Sequence, residues 1–467
     1  MKTDSILHIG FDDTDSRKGM CTTFLAYKIV EYLKKEQVKF LDYPYLIRFN
    51  PNIPWKTRGN GAVALKIKTD KPEFIKKNVI EFVKKYSAIK DGANPGLVFY
   101  QSEKIPPHFS EFGHRALCSL IKRNNAKEFV SKNGLESFYL GNGQGLVGAI
   151  GAIGYAFDDY TFELISYRNK SNFGKKREIF KQSVKKMQDM TYPNTFNSFD
   201  DKKNRILIAP HGPDPVFFGI RGEDINSVIH SKSLVHSPEK FDGYMVFRTN
   251  QGTGAHLKNK LDVHDLKPFS SGYITGKIFD VPEVEIGGHV IFSIIYDNQK
   301  INCAVYKPTR LTKIVSKLIK GDIVKVGGGV RKATKNHPRI LNVEFLEVLR
   351  LEKNMKAVNP LCHICNKRTK SKGKNQGFEC VKCKKAFSNK ILEEIPREIE
   401  CRLYVPTVSA HRHLTRPMQR IGKLNNKIEF DNSRKWFHIS KSRQTTNQKL
   451  EIKINTRKLT LAQSNSL

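Results

Sequence analysis

No run of apolar residues in this chain approaches the roughly twenty that cross a bilayer, and acidic residues come early at the amino end, unlike a secretory leader. No internal repeat is evident, and no GxxxxGK[ST] loop is present to cradle a triphosphate. Cysteine is scarce, eight in 467 residues, too sparse for a disulfide scaffold. Negative charge is outnumbered: 45 Asp and Glu stand against 81 Lys and Arg, a formal net charge of +36. These deficits exclude a membrane-spanning or small secreted protein and lead us to expect a cytoplasmic one. The basic excess points to a polyanionic partner, nucleic acid above all. A generally soluble basic surface is the plainer alternative.

What is present divides into textures, and the length exceeds what one core holds. Strand-like and helix-like patterns alternate to about residue 135, which suggests an α/β unit; Phe24, Leu25, Ile29, Val30 and Leu33 share one helical face. From Gly141 the chain turns glycine-rich and then strand-like, and a second α+β domain is expected over 139–262. Five short strands with a helical insert between the third and fourth give 265–352 the order of an OB-fold β-barrel, which binds oligonucleotides in many proteins or serves as a structural barrel. Residues 356–420 hold a cysteine cluster, and 421–467 read as a basic, flexible tail anchored only by Trp436 and Phe437.

The cysteine cluster is the most specific signal. Cys362, Cys365, Cys380 and Cys383 form CxxC–x14–CxxC, in which two tight knuckles each direct two sulfurs at one centre. Four soft ligands suit zinc, and with no open position the role is structural. The stretch "HIGFDDTDSRKGMCTTF" crowds Asp12, Asp13 and Asp15 at the mouth of the first strand, ahead of a helix that begins near Thr22. Such a cluster can hold Mg²⁺ and present N–H groups to phosphate, or it can form turns and an N-cap. "PWKTRGNGA" sets Lys56 and Arg58 beside Gly59, Asn60 and Gly61, which fits a phosphate cradle or a solvated hairpin turn. "GIRGED" offers Arg221, Glu223 and Asp224, and "DDYTFE" offers Asp158, Asp159 and Glu163; each suits a cationic small molecule or a surface turn.

Taken together, "GFDDTDSRKGMCTT", "RFNPNIPWKTRGNGAV", "NPGLVF", "GQGLVGAIGAIG", "PVFFGIRG", "GGHVIF", the CxxC pairs and "VPTVSAHRHLTRP" resemble, in order, the motifs of the archaeal tRNA-isoleucine 2-agmatinylcytidine synthetase family over about residues 6 to 417. The resemblance implies a multidomain α+β protein: a kinase-like ATP-binding domain at 1–138, a ferredoxin-like domain at 139–262, the OB-fold and a zinc ribbon. It implies an ATP- and Mg²⁺-dependent ligase that joins agmatine to C2 of the wobble cytidine of the isoleucine tRNA with a CAU anticodon, so that AUA is decoded. Phosphorylating the C2 oxygen would let the amine expel phosphate. Asp12, Asp13 and Asp15 would hold the metal, Thr22 matches the phosphorylated threonine, and Gly19, Met20, Cys21, Thr22 and Thr23 would line the phosphates. Lys56 and Arg58 would stabilise developing charge. The agmatine pocket is expected among Gly143, Gly145, Gly148, Asp158, Asp159, Arg221 and Glu223. The rival expectation is a non-catalytic OB-fold and zinc-ribbon protein that only binds nucleic acid.

Overall fold

Alternation of apolar residues withdraws Leu7, Ile9 and Phe11 of the first strand, β1 (Ser5–Asp12), completely from solvent. The structure, a computed structural model, describes residues 4–335, 338–427 and 429–440. After β1 come α1 (Thr22–Lys35), β2 (Lys39–Phe40), β3 (Tyr45–Arg48), β4 (Gly61–Thr69) and α2 (Pro72–Tyr86). β5 (Gly96–Gln101), α3 (Pro107–Cys118), α4 (Arg123–Lys132) and β6 (Glu136–Tyr139) follow. Next are α5 (Leu146–Gly154), β7 (Thr161–Arg168), α6 (Lys181–Thr191), β8 (Thr195–Phe196), β9 (Phe199–Asp200) and β10 (Arg205–Ile206). β11 (Val216–Gly222), α7 (Ile225–Leu234) and β12 (Phe241–Thr249) complete this part. The apolar face read from the sequence of α1 is buried, and Pro72 opens α2 where a missing N–H costs nothing.

One eleven-stranded sheet runs β6-β5-β1-β4-β3-β12-β7-β11-β8, with β2 on β4 and the strand Phe437–Ile439 on β12. One expectation changes here. The neighbours of β1 are both antiparallel, so the first unit is α+β in character; alternation of helix and strand does not fix strand direction. The halves expected to part near 138 share this sheet, joined by the parallel pairs Tyr45↔Arg248 and Leu46↔Thr249.

Helix α5 also crosses that boundary, packing on β1, β4 and β5. Its sequence LVGAIGAIG has poor helix propensity and no polar face, and every residue but Val147 is buried. Tertiary contact makes it a helix. The approach is backbone to backbone: a Cβ on Gly10 would overlap the Ala149 carbonyl, and one on Gly96 the Leu146 nitrogen.

The next strands, β13 (Ser271–Val284), β14 (Val290–Tyr296), β15 (Gln299–Val305), β16 (Ile323–Arg331) and β17 (Ile340–Arg350), pair in the order β15-β14-β13-β16-β17. Parallel pairing of β15 with β17 closes the barrel, and a one-turn helix, α8 (Thr312–Val315), precedes β16. Ile278, Ile294, Val324, Val326 and Leu346 fill it at 0% exposure. Beyond the cysteine cluster, Leu403–Tyr404 pairs with β17, and residues 411–420 run back along the main sheet. The segment from 421 differs from the flexible tail expected. Trp436 is 1% exposed among Phe40, Tyr43 and Phe430, and Phe437–Ile439 adds to β12, because these aromatics bury more than the surrounding polar residues lose. The remainder of that expected tail, 441–467, lies outside the described residues.

Gly96→Ala forces α5 away from β5, so we expect chemical denaturation to show a loss of about 1–3 kcal/mol. An unchanged midpoint would mean that α5 can withdraw freely.

Candidate active site

The end of β1 delivers Asp12 and Asp13 to a cavity of about 430 Å³ beside the start of α1. Asp12 fits because position 148 in α5 is glycine; a Cβ there would collide with its carboxylate. The loop that follows holds two non-glycine residues in the left-handed region, Asp13 at φ 54° and Met20 at φ 62°. Strain of this kind persists where surroundings over-determine the backbone. Here Arg58 does so. Its Nη2 donates to the carbonyls of Ser16, Gly19 and Met20, Nε lies 3.0 Å from Asp15 Oδ2, and Nη1 lies 2.7 Å from Asp214 Oδ2. Thr57 Oγ1 donates to the other Asp15 oxygen at 3.0 Å, so both oxygens of Asp15 are engaged. Thr14 Oγ1 donates to Thr22 Oγ1 at 3.1 Å, fixing the first hydroxyl of α1. The N-terminus of α1, with its unfilled N–H groups, favours an anion.

The opposite wall comes from β3, β7 and β11. Arg221 Nε donates to Glu163 Oε1 and to Gln251 Oε1, each at 3.1 Å, and Gln251 Nε2 donates to Glu163 Oε2. Arg48 Nη2 lies 3.6 Å from Glu163 Oε2, between the two walls. Gly59 and Gly61 leave room for it; a Cβ on either would come within 2.6–2.8 Å of Arg48 Nη1. His413, from the segment beyond the ribbon, completes this side.

The cavity thus gathers Asp12, Asp13, Asp15, Cys21, Thr22, Thr23, Lys56, Arg58, Gly59, Asn60, Gly61, Gly148 and Arg221 from the expected set. The others lie outside it. Gly19 and Met20 offer carbonyls to Arg58. Gly143 and Gly145 form the turn into α5. Asp158 meets Lys258 at the surface, 2.6 Å away. Asp159 and Glu223 are claimed by arginines: Arg420 lies 2.9 Å from Asp159 and 2.8 Å from Glu223, and Arg416 lies 2.9 Å from Asp159. A guanidinium already fills the place expected for agmatine's. Glu163 is the carboxylate of those two motifs that does reach the cavity. Sequence reading passed over Arg48, Asp214 and His413, although Arg48 and His413 sit inside quoted motifs.

Electrostatics follow from the packing. Burial, then the charge of Asp13, pushes Asp12 up to about 8. Burial and Asp15 push Asp13 up to about 7, against an N–H from Asn94. Burial also raises Asp15, opposed by Arg58 and Thr57. Burial lowers Lys56 and Arg48, while burial with Arg48 and Arg221 holds His413 well below the usual imidazole range. Asp12 and Asp13 are therefore reluctant anions, and a cation between them relieves the cost.

The loop over residues 50–61 rests on the barrel. Asn50 Nδ2 donates to the Phe269 carbonyl at 2.6 Å, Asn52 Nδ2 to Ser271 Oγ at 2.9 Å, and Arg412 bridges Asn52 Oδ1 and Glu344 Oε1 at 2.8 and 3.2 Å.

Among the described residues, Cys362, Cys365, Cys380 and Cys383 are the one group of three or more ligating side chains that converges on a point, their sulfurs all within 4.8 Å of one another. Asp12, Asp13 and Asp15 do not form such a set alone. Each knuckle repeats the same bonds: Asn366 N–H to the Cys362 carbonyl and Cys362 N–H to Lys367, then Lys384 to Cys380 and Cys380 to Lys385. Asn366 and Lys384 take φ of 50° and 62° to close them. N–H groups of Cys383 and Lys382 pull the Cys380 thiol down to about 6. Two buried and two more accessible sulfurs in this geometry fit a tetrahedral zinc.

Family profiles match three segments: a TiaS TCKD domain at residues 8–77, a TiaS FLD domain at 143–256 and a TiaS C-terminal zinc ribbon domain at 359–399. The tRNA-isoleucine 2-agmatinylcytidine synthetase TiaS of Cenarchaeum symbiosum (strain A) is 45% identical over 433 residues, 93% of this chain and 96% of that protein. A crystal structure of TiaS in complex with its isoleucine tRNA and ATP superposes with TM-score 0.80 at 33% identity, over 91% of this chain and 99% of that one. A TiaS complex with the same tRNA, AMPCPP and agmatine gives 0.79 at 31%, over 91% and 100%.

Two outcomes are expected. Asp12 and Asp13 bind protons more tightly folded than unfolded, where they leave near pH 4. Stability in metal-free buffer should therefore be greatest near pH 4 and fall as pH rises through about 7 to 8, and Asp12→Asn should raise the melting temperature at pH 8. A flat wild-type profile would contradict the burial argument. Zinc contributes roughly 10–16 kcal/mol in comparable peptides. Chelation should accordingly remove hydrogen-exchange protection from residues 362–385 while β1 and β4 keep theirs.

Proposed function

Because the chain belongs to the tRNA-isoleucine 2-agmatinylcytidine synthetase (TiaS) family, we propose that the carboxylate-lined cavity is where its conjugation chemistry occurs. The chain is an ATP-dependent tRNA-modifying ligase that joins agmatine to C2 of the wobble cytidine of the isoleucine tRNA with a CAU anticodon. The observation that carries the assignment is one cavity holding two open carboxylates, a fixed threonine hydroxyl at a helix N-terminus, and facing guanidiniums.

The C2 oxygen of cytosine is amide-like and leaves poorly. Phosphorylating it makes phosphate the leaving group, and agmatine's amine can then displace it. Asp12 and Asp13 fit Mg²⁺, which commonly takes one or two carboxylates together with substrate phosphates. When bound, the ion neutralises charge on the triphosphate. Asp15, expected as a third ligand, acts instead as a brace, since Thr57 and Arg58 occupy its oxygens. Arg58 holds the Asp15–Met20 loop in shape. Thr22 is the phosphate acceptor on the protein. Arg48 and Arg221 meet the charge that develops on the transferring and departing phosphate. Lys56 stands at the entrance, its Nζ donating to the Ile53 carbonyl at 3.2 Å. The kinase-like part supplies β1, α1 and α5, the ferredoxin-like part supplies Glu163 and Arg221, and neither makes the cavity alone.

The barrel and ribbon hold the tRNA outside the anticodon while the target base leaves its stack. Exposed Lys367, Lys370 and Lys374 on the ribbon suit backbone phosphates. Among the described residues no helix is long and apolar enough to cross a membrane.

Zinc-loaded protein with Mg-ATP should transfer labelled agmatine to the isoleucine tRNA bearing CAU. Asp13→Asn should cut that transfer by about 100-fold or more while tRNA affinity stays within a few fold. Absence of transfer by the wild-type protein would overturn the assignment.

A further inference from the structure

The motif "VPTVSAHRHLTRP" contributes a side chain to the cavity for which the scheme above has no use. His413 lines the wall beside Gly59, where a Cβ would come within 2.8 Å of Nε2. Its protonation pattern follows from its neighbours. Glu163, flanked by the guanidiniums of Arg48 and Arg221, takes hydrogen bonds and gives none. The Gln251 amide must therefore turn Nε2 to Glu163, which leaves Oε1 facing His413 Nδ1 at 2.8 Å. An amide oxygen only accepts, so Nδ1 carries the hydrogen and Nε2 keeps a lone pair. Arg221 Nη2 also lies 3.3 Å from Nδ1, a contact that is not a hydrogen bond in this tautomer; the shorter 2.8 Å contact with Gln251 Oε1 sets the proton, and Arg221 Nε finds acceptors in Glu163 and Gln251. Among the described residues Nε2 has no hydrogen-bond partner.

We propose that His413 Nε2 accepts a proton from the agmatine amine in the joining step, with Gln251 and Glu163 as positioning residues that fix its tautomer. The proposal rests on the activity assigned above. Agmatine arrives as an ammonium and loses two protons in becoming a substituent. The C2–N bond forms from the nitrogen lone pair, and the C2–O bond breaks with its pair passing to the departing phosphate. One proton satisfies that phosphate oxygen, and the other passes to Nε2 and on to solvent. The charged groups facing the ring are Arg48 from β3, Arg221 from β11 and Glu163 from β7. Burial and the two guanidiniums keep the imidazole neutral at physiological pH, so the lone pair is available and an acquired proton is soon released.

The test separates the two half-reactions in single turnover: transfer of labelled γ-phosphate from ATP, and joining of labelled agmatine to tRNA. For His413→Gln and His413→Ala, joining should fall at least about 100-fold more than phosphoryl transfer. Added imidazoles should restore joining to His413→Ala, faster with the more basic ones. Gln251→Leu should shift the pH profile of joining. Joining by His413→Gln within about threefold of wild type, or no response to imidazoles, would overturn the proposal. Phosphoryl transfer without any joining by wild-type protein would instead overturn the assigned activity.

Discussion

Helix α5 rests on β1 and β5 through backbone, with glycine at 10 and 96 where any side chain would intrude, and that contact sets the position of everything at the cavity floor. It carries Gly148 over the Asp12 carboxylate and strips water from it. A packing constraint thereby becomes an electrostatic one: the carboxyl is driven up to about 8 because the helix sits so close. The short sequence GQGLVGAIGAIG therefore sets both the shape of the floor and its appetite for a cation.

Polar contacts hold the opposite wall. Arg420, fully buried, binds Asp159, Glu223 and the Gly252 carbonyl, and Arg248 binds Asp42 in the same manner. Buried pairs of this kind add little net stability but penalise any other arrangement heavily. Directional bonds suit a segment that must place one imidazole accurately. The Asn50, Asn52 and Glu344–Arg412 contacts tie the loop bearing Lys56 and Arg58 to the barrel.

Much of this was legible where the determining contacts are local. The CxxC spacing, the first strand, the apolar stripe of α1 and the succession of strands along the barrel segment depend on residues a few positions apart. What escaped depends on distance. Asp159 looks like a free acid until Arg420, 261 residues away, is placed against it. The glycine-rich helix has too little propensity to announce itself. Arg48 and His413 gain meaning only when β3, β12, β7 and β11 stand side by side. Trp436 reads as the anchor of the segment after 421, but the polar composition there conceals its burial, since its partners Phe40 and Tyr43 lie near the amino end.

The return of residues 411–439 to the main sheet has a bearing on biosynthesis. A growing chain presents the acidic floor early, whereas the last side of the pocket emerges only after the barrel and the ribbon have been translated. Completion of the pocket thus waits on a segment that follows both the barrel and the ribbon in sequence.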